Sequence, residues 1–527
     1  MRRMPWLSRV AASVGLGAMA SLSGCLFSTP LDCENAGVCS ADEGEDILPE
    51  GCAGDPTIDP SLVTETCGVF VRATAAAGGD GTRERPYASI SEAVEAAHGR
   101  RVYACAAGAF VEAVVIDKGV TVLGGFDCEA GWRWSVEARS FVEGPADAVA
   151  VTLGEGARGA KVQGFEIRAA SATREGGSSV GVMVADVEAT LAQVEVVAGD
   201  GKDGVAGVTP SEAARSGTDA PAEGVGGAAS KACAEAGMVR GGLGGETMCD
   251  DGGTRGGDGG EGATGEHDNG RTGLTGLPYI DPNPQQYGSG GEGQLSSSDM
   301  CEDGEKGASG TKGADSGGGS ATLLSLAGIG GGDGAPGAPG GRGHGGGGGG
   351  GTKAGAFCGS NVTGSGASGG GGGAGGCGGR GGGGGQAGGS SIGVVSLGAR
   401  LVLQDVSVRV GAAGHGGGGA AGKNGGLGGE GAKGGADSGM VPSEAGCSGG
   451  DGGRGGHGGA GGGGRGGHAV GVAWAVTPGA ASALQAFTAG APGDGGTSSS
   501  GSAAENQGVD GKAGPCWDFA AGTACGG

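Results

Sequence analysis

Aromatic side chains are scarce in this chain. They make up 3% of 527 residues, which leaves little material for a conventional globular core. Basic residues are also few, 33 Lys and Arg against 57 Asp and Glu, for a formal net charge of -24. That balance excludes nucleic acid as a partner, because phosphate binding needs a basic surface. No Cys-x-x-Cys pair occurs, so zinc ribbons and thioredoxin-like redox motifs are excluded. There is no G-x-x-x-x-G-K-S/T loop, and no G-x-G-x-x-G follows a strand in a βαβ unit. The six histidines, His98, His267, His344, His415, His457 and His468, show neither His-x-His nor H-E-x-x-H spacing. No Ser-His-Asp constellation can be argued, and Asn361-Val362-Thr363 is a lone sequon. No catalytic residue, metal or cofactor is therefore expected.

The N-terminus carries an export pattern. Arg2, Arg3 and Arg9 precede residues 10–22, an apolar stretch too short to span a bilayer comfortably. It ends in Leu22-Ser23-Gly24-Cys25, which resembles a bacterial lipobox. The resemblance implies that residues 1–24 are a signal peptide and that Cys25 carries lipid as the first mature residue. The membrane is then one partner, through that anchor. Leu26, rather than an acidic residue, follows Cys25, and by resemblance to lipoprotein sorting this favours the outer membrane of the bacterial cell envelope. Setting Cys25 aside leaves an even number of the 15 cysteines, as a disulfide framework in an exported chain requires. Residues 25–66 read as a tether, with Pro30, Pro49, Pro56, Pro60 and an acidic run at 43–46. Cys33 and Cys39 are placed to close a small loop within it.

Residues 67–199 change character. Short β-type runs at 69–71, 102–104, 114–116 and 120–122 alternate with glycine turns. One helix is predicted after the first run, with Ser89 and Glu92 as a capping box and Ile90, Val94 and Ala97 on one face. The run "PYASI", this helix and "VYACAAGAFVEAVVIDKGVTVLGG" resemble the opening of right-handed parallel β-helix proteins of the pectate-lyase-like group. Together with Cys105, Cys128, Trp132 and Trp134, they also resemble a set of Gly-rich lipoproteins from myxobacteria. The resemblance implies an all-β fold, a short right-handed parallel β-helix whose first coil is capped by the helix. Cys105 and Cys128 stand 23 residues apart, about one such coil, and a disulfide between them is expected.

Three later stretches match one another: "SSVGVMVADVEATLAQVEVVAG" at 178–199, "SSIGVVSLGARLVLQDVSVRVG" at 390–411 and "AVGVAWAVTPGAASALQAFTAG" at 469–490. Each opens on an aliphatic-Gly-aliphatic step and closes on Gly199, Gly411 or Gly490. Each supplies about two short strands that cannot bury a face alone but can when stacked. They are expected to be successive coils. The Gly-rich insertions 200–389 and 412–468 and the tail 491–527 are then expected to leave from one shared edge.

What is abundant is glycine, 141 residues of it, often at every third place. Gly422, Gly425, Gly428, Gly431 and Gly434 keep that period, as do Gly331, Gly334, Gly337, Gly340 and Gly343. A left-handed extended helix has three residues per turn, so such a run bares one whole face of backbone. Two outcomes stay open at this level, a polyglycine-II-like bundle or disordered, mobile loops. Ordering costs about 1–2 kcal/mol per residue against about 0.5–1.5 returned per hydrogen bond, so pinned ends decide between them. Cys358 with Cys377, and Cys516 with Cys525 in the tail, are the candidate pins. Collagen is excluded by short, Pro-poor runs, and calcium-binding nonapeptide repeats by the missing aliphatic position.

Carboxylates for lyase or hydrolase work would come from Asp127, Glu166, Glu188 and Glu195, with Arg168 as the basic partner. None forms a motif, and solvated strand positions account for them. The expected function is a non-enzymatic, lipid-anchored surface protein, structural or adhesive, that displays its Gly-rich loops to extracellular polysaccharide or to other surface proteins. The alternative is a β-helix protein that binds or cleaves polysaccharide.

Overall fold

A computed structural model describes residues 48–527 except 236–238, 266–268, 360–361, 480–482, 502 and 526–527. The leader, Cys25, Leu26, Cys33, Cys39, His267 and Asn361 lie outside the described residues. The fold is all-β, with a single α-helix among the described residues.

Three sheets of parallel strands make the framework. The first comprises Gly68–Val71, Arg101–Cys105, Thr121–Asp127, Ala160–Gln163, Ala189–Ala192 and Leu401–Gln404. Ala109–Phe110, Ser140–Gly144, Phe165–Ala169, Glu195–Ala198, Ser407–Val410 and Ala486–Thr488 form the second. The third holds Val114–Ile116, Val149–Leu153, Ser179–Val184, Ser391–Ser396, Ala469–Trp474 and Ala513–Asp518. From Val114 to Val410, the insertion hairpins aside, the chain visits the third, first and second sheets in rotation. Like residues therefore stack in register. Val151, Val182, Val394 and Val472 form one ladder, and Val142, Ile167, Val196, Val408 and Phe487 another. The valines and Ile167 are at most 3% exposed. Burying each such side chain contributes about 1.5–3 kcal/mol, which lets a chain poor in aromatics still hold a core.

The matching stretches pair directly. Ser179 stands opposite Ser391, and Ser391 opposite Ala469, although 190 and 57 residues of insertion intervene between the matching stretches. A common seam marks the exits. The Ser179 hydroxyl accepts the Gly199 N–H at 2.9 Å, and that of Ser391 accepts the Gly411 N–H at 2.9 Å. The Ser391 hydroxyl also donates to the Gly199 carbonyl at 2.6 Å, tying one exit to the next.

The helix, α1, runs Ile90–Glu95 and packs Ile90, Ala93 and Val94 into the core, with Ala97 just beyond its C-cap buried beside them. Ser89 caps it by accepting the Glu92 N–H at 3.3 Å. The second half of the expected capping box comes from elsewhere. Glu112, between the strands Ala109–Phe110 and Val114–Ile116, takes the Ile90 N–H and the Ser89 hydroxyl, each at 2.7 Å.

Three expectations need correction. Residues 48–66 are not free tether. Cys52 is bonded to Cys67, Arg101 donates to the Cys52 carbonyl at 2.8 Å, and Tyr103 donates to that of Leu62 at 2.9 Å. Cys105 and Cys128 are bonded, and so are Cys516 and Cys525, but Cys358 and Cys377 are not bonded to each other. Cys358 pairs with Cys233 and Cys377 with Cys249, while Cys301 pairs with Cys447. Residues 366–376 belong to a glycine segment with hydrogen bonds at a step of three, and at about 3.1 Å per residue that segment carries Cys377 far beyond disulfide reach of Cys358. Finally, the first insertion does not only project. Its hairpin, Thr322–Ser325 with Gly328–Gly331, folds back so that Leu324, Leu326 and Ile329 cover Val180, Ile392 and Val395 on the outer side of the third sheet.

Candidate functional site

The glycine segments form one hydrogen-bonded body. Gly370, Gly373, Gly376, Gly379, Gly382 and Gly385 donate to Cys447, Gly450, Gly453, Gly456, Gly459 and Gly462 at 2.9–3.0 Å. Those two segments run parallel, and the step is three residues on both. A third segment runs antiparallel to the first, with Gly337, Gly340, Gly343 and Gly346 donating to Gly382, Gly379, Gly376 and Gly373 at 2.8–2.9 Å. A fourth, residues 417–435, donates at every third residue to residues 368–386. Recurrence at three means three residues per turn, with donors aimed at different neighbours in turn.

Glycine is needed because of the close approach. A Cβ on Gly376 would lie 2.2 Å from the carbonyl oxygen of Gly426, and one on Gly459 would lie 2.0 Å from that of Ala314. Three disulfides tie the segments across long separations, 125, 128 and 146 residues. Their loss of loop entropy in the unfolded chain helps offset the cost of ordering glycine.

Acidic side chains finish the body's edges. Asp303 accepts the Ser448 N–H at 2.7 Å, Asp203 that of His415 at 2.7 Å and Asp219 that of Glu430 at 2.7 Å. In each case the residue after the aspartate donates its own N–H back to the same residue's carbonyl. Two histidines act alike: His415 Nδ1 accepts the Asp494 N–H at 3.0 Å, and His468 Nδ1 accepts that of Lys512 at 2.9 Å. An acceptor-only carboxylate or a neutral imidazole suits this place, since the open groups are amide donors. Sequence reasoning missed this role, although a usable signal exists: Asp stands directly before a triplet glycine at Asp203-Gly204 and Asp303-Gly304.

His468 is the most perturbed group. Burial, helped by the nearby charges of Arg465 and Lys512, pushes its pKa down to about 3. Nδ1 accepts from Lys512, while Nε2 meets both the Thr322 hydroxyl, at 2.9 Å, and the Arg465 guanidinium. Arg465 lies beside it, also buried, and burial lowers its pKa to about 10.

The sequence-derived carboxylates separate into two sets. Glu166, Arg168 and Glu195 come together on the outer face of the second sheet, where Glu166 and Glu195 are opposite one another on adjacent strands. Arg168 bonds Glu166 at 2.6 Å and stands 5.8 Å over the Phe141 ring, while Glu195 meets Arg139 at 3.5 Å and Arg409 at 3.4 Å. Asp127 and Glu188 lie elsewhere. Asp127 caps the turn after its own strand, accepting from Glu129 and Ala130 at 3.0 Å, and Glu188 is exposed directly before Ala189–Ala192. Among the described residues, no three His, Cys, Asp or Glu side chains are grouped to hold a metal ion. None of the described helices is long and apolar enough to cross a membrane. The chain matches no family model, no curated protein and no solved structure.

Proposed function

We propose that this protein is a lipid-anchored component of the bacterial cell surface, structural or adhesive and without catalytic activity. In this proposal Cys25 carries the lipid and holds the chain at the outer membrane. The three parallel sheets wind as a short right-handed parallel β-helix, closed at its first coil by α1. The glycine segments form a polyglycine-II-like bundle carried on its seam. The observation that carries the reading is the continuous lattice of backbone hydrogen bonds through the insertions, cross-linked by Cys233–Cys358, Cys249–Cys377 and Cys301–Cys447. A pre-ordered body presents many side chains at fixed spacing, so weak contacts with a repetitive partner add without a large ordering cost.

The test is fractionation of cells that express the chain or its Cys25→Ser variant, with adhesion to extracellular polysaccharide and to isolated envelopes measured on the same cells. The native chain should sediment with membranes and promote adhesion, and the variant should be released with adhesion lost. Equal adhesion with and without the protein would overturn the proposal. A second reading, polysaccharide binding or cleavage, is favoured by the Glu166, Arg168, Glu195 and Phe141 cluster alone. Cleavage of an acidic glycan that Glu166→Gln abolishes would replace the first reading with this one.

A further inference from the structure

Gly456, Gly459, Gly462 and Arg465 follow one another at a step of three along one glycine segment. A Cβ on the first three would lie 1.9–2.0 Å from the carbonyl oxygens of Thr311, Ala314 and Gly317. Glycine is therefore required wherever residues 311–317 run alongside. The last donor from that neighbour is Gly319, to the Gly463 carbonyl at 2.8 Å, before the chain turns into the hairpin that starts at Thr322. Arg465 is the next place in phase, and the first beyond that contact able to carry a side chain. Its backbone is fixed by the lattice, since its N–H donates to the Gly332 carbonyl at 3.0 Å and its carbonyl accepts from Gly388 at 2.8 Å. The side chain is thus committed to the place where the bundle meets the third sheet.

Arg465 and His468 are each 2% exposed. The Arg465 Nη1 meets His468 Nε2, but Nε and Nη2 are buried and have no hydrogen-bond partner among the described residues. Those two nitrogens carry the parallel N–H groups of one guanidinium edge, the edge that grips anions at two points. Two other arginines hold an unpartnered buried nitrogen, and each has a carboxylate beside it. Arg139 stands 3.5 Å from Glu195, and Arg342 stands 3.5 Å from Asp251. Arg465 has no such neighbour: burial alone lowers its pKa, and at about 10 it is still charged at neutral pH. The other charge that acts on His468 is that of Lys512, also a cation. A chain with 57 acidic residues thus leaves its deeply buried Arg465 without a counterion. Water can satisfy the N–H groups but cannot balance the charge.

We propose that the Arg465 edge, beside His468 and Thr322, is an internal site for a small monovalent anion such as chloride. The anion accepts from Nε and Nη2 and supplies the missing negative charge. Because it neutralises a group that only the folded chain buries, it ties the glycine bundle to the third sheet and stabilises the fold in proportion to its occupancy.

The experiment uses the full chain with Cys25→Ser in gluconate buffer, with sodium chloride replacing sodium gluconate at constant ionic strength. Urea unfolding is measured at each composition. One site on the folded state predicts a saturable dependence, in which each tenfold rise in chloride beyond half-saturation lowers the unfolding equilibrium constant about tenfold. Crystals grown with bromide should show its anomalous signal against Nε and Nη2 of Arg465. Arg465→Met removes the charge and should abolish the chloride dependence, while unfolding no more readily in gluconate than the native chain. Arg465→Lys keeps the charge without the two-nitrogen edge and should need at least about tenfold more chloride. That second variant keeps the test decisive if the methionine variant fails to fold. Unfolding that is independent of chloride, an unchanged dependence in either variant, or water in place of bromide at that edge would overturn the proposal.

Discussion

The carboxylate of Asp315 accepts the Ala460 N–H at 2.7 Å, and the next residue, Ser316, donates its N–H to the Ala460 carbonyl at 3.0 Å. One residue of a neighbouring segment is thus held by both backbone groups. The bond from Ala460, with Lys312 beside it at 2.9 Å, holds the Asp315 pKa below the usual carboxylate value. Part of the chain's acidity therefore serves as hydrogen-bond acceptors for amides at segment edges. Replacing Asp315 by Ala should cost about 1–2 kcal/mol locally and speed exchange of the Ala460 amide roughly tenfold, with Asn intermediate. Amide exchange followed by mass spectrometry on the 447–467 peptide reads this.

Acid should weaken the fold in two stages. His468 is neutral in the fold, with its pKa lowered to about 3, while an unfolded histidine titrates near 6.5. The unfolded chain therefore binds the extra proton between those values. Stability falls as pH drops through that window, by at most about 1.4 kcal/mol per unit for one proton. Asp315 and Asp147 have lowered pKa values, through hydrogen bonds chiefly to Ala460 and to Thr173. Their contribution is complete above the unfolded value of about 3.9 and is lost as pH falls through their folded values. Melting curves from pH 7 to 3 should show a gradual decline that begins near pH 6.5 and steepens below 4. His468→Gln should remove the first part only.

Substitutions at packed glycines should be severe, and those at open ones mild. A Cβ on Gly452, Gly455 or Gly458 would lie 1.9, 2.0 or 2.1 Å from a neighbouring carbonyl oxygen. Valine at these three places should split the bundle and cost several kcal/mol together. Gly226 has nothing within 4 Å of the same point, so Gly226→Ala should be neutral or slightly stabilising. Urea unfolding of the two variants against the native chain separates the cases.

Disulfide mapping without reduction should return Cys233 with Cys358, Cys249 with Cys377 and Cys301 with Cys447. Removing the last pair by Cys301→Ser and Cys447→Ser should cost about 2–5 kcal/mol, because it frees a 146-residue separation in the unfolded chain. A Cys358–Cys377 peptide would contradict the arrangement of segments.

Features that repeat locally are readable from sequence, and features set by neighbours across the bundle are not. The steps at Gly181, Gly393 and Gly471 announce stacked strands. Their reason is physical: a Cβ on Gly181 would sit 2.6 Å from the Gly393 carbonyl oxygen and 2.2 Å from Val196. The pairing of Cys105 with Cys128 follows from one circuit of chain. The partner of Cys358, by contrast, depends on which extended segment lies alongside, and a glycine triplet fits any neighbour equally well. The hairpin carrying Leu324 and Ile329 has a visible apolar alternation and a glycine turn. Its destination, the outer face formed by Val180 and Ile392, is marked only by strands that are apolar on both sides. Likewise Glu166 and Glu195 are 29 residues apart and meet only because their strands are adjacent.

The most direct measurement is residue-resolved amide exchange across residues 307–316, at the bundle's edge. Gly307, Gly310, Gly313 and Ser316 each donate to the parallel segment, at 2.8–3.0 Å, and the residues between them point elsewhere. Protection at those four amides, with rapid exchange at 308, 309, 311, 312, 314 and 315, is the result the hydrogen-bonded lattice predicts. Uniform exchange within seconds over the whole stretch, or protection at alternate residues as in a β-strand, would contradict it.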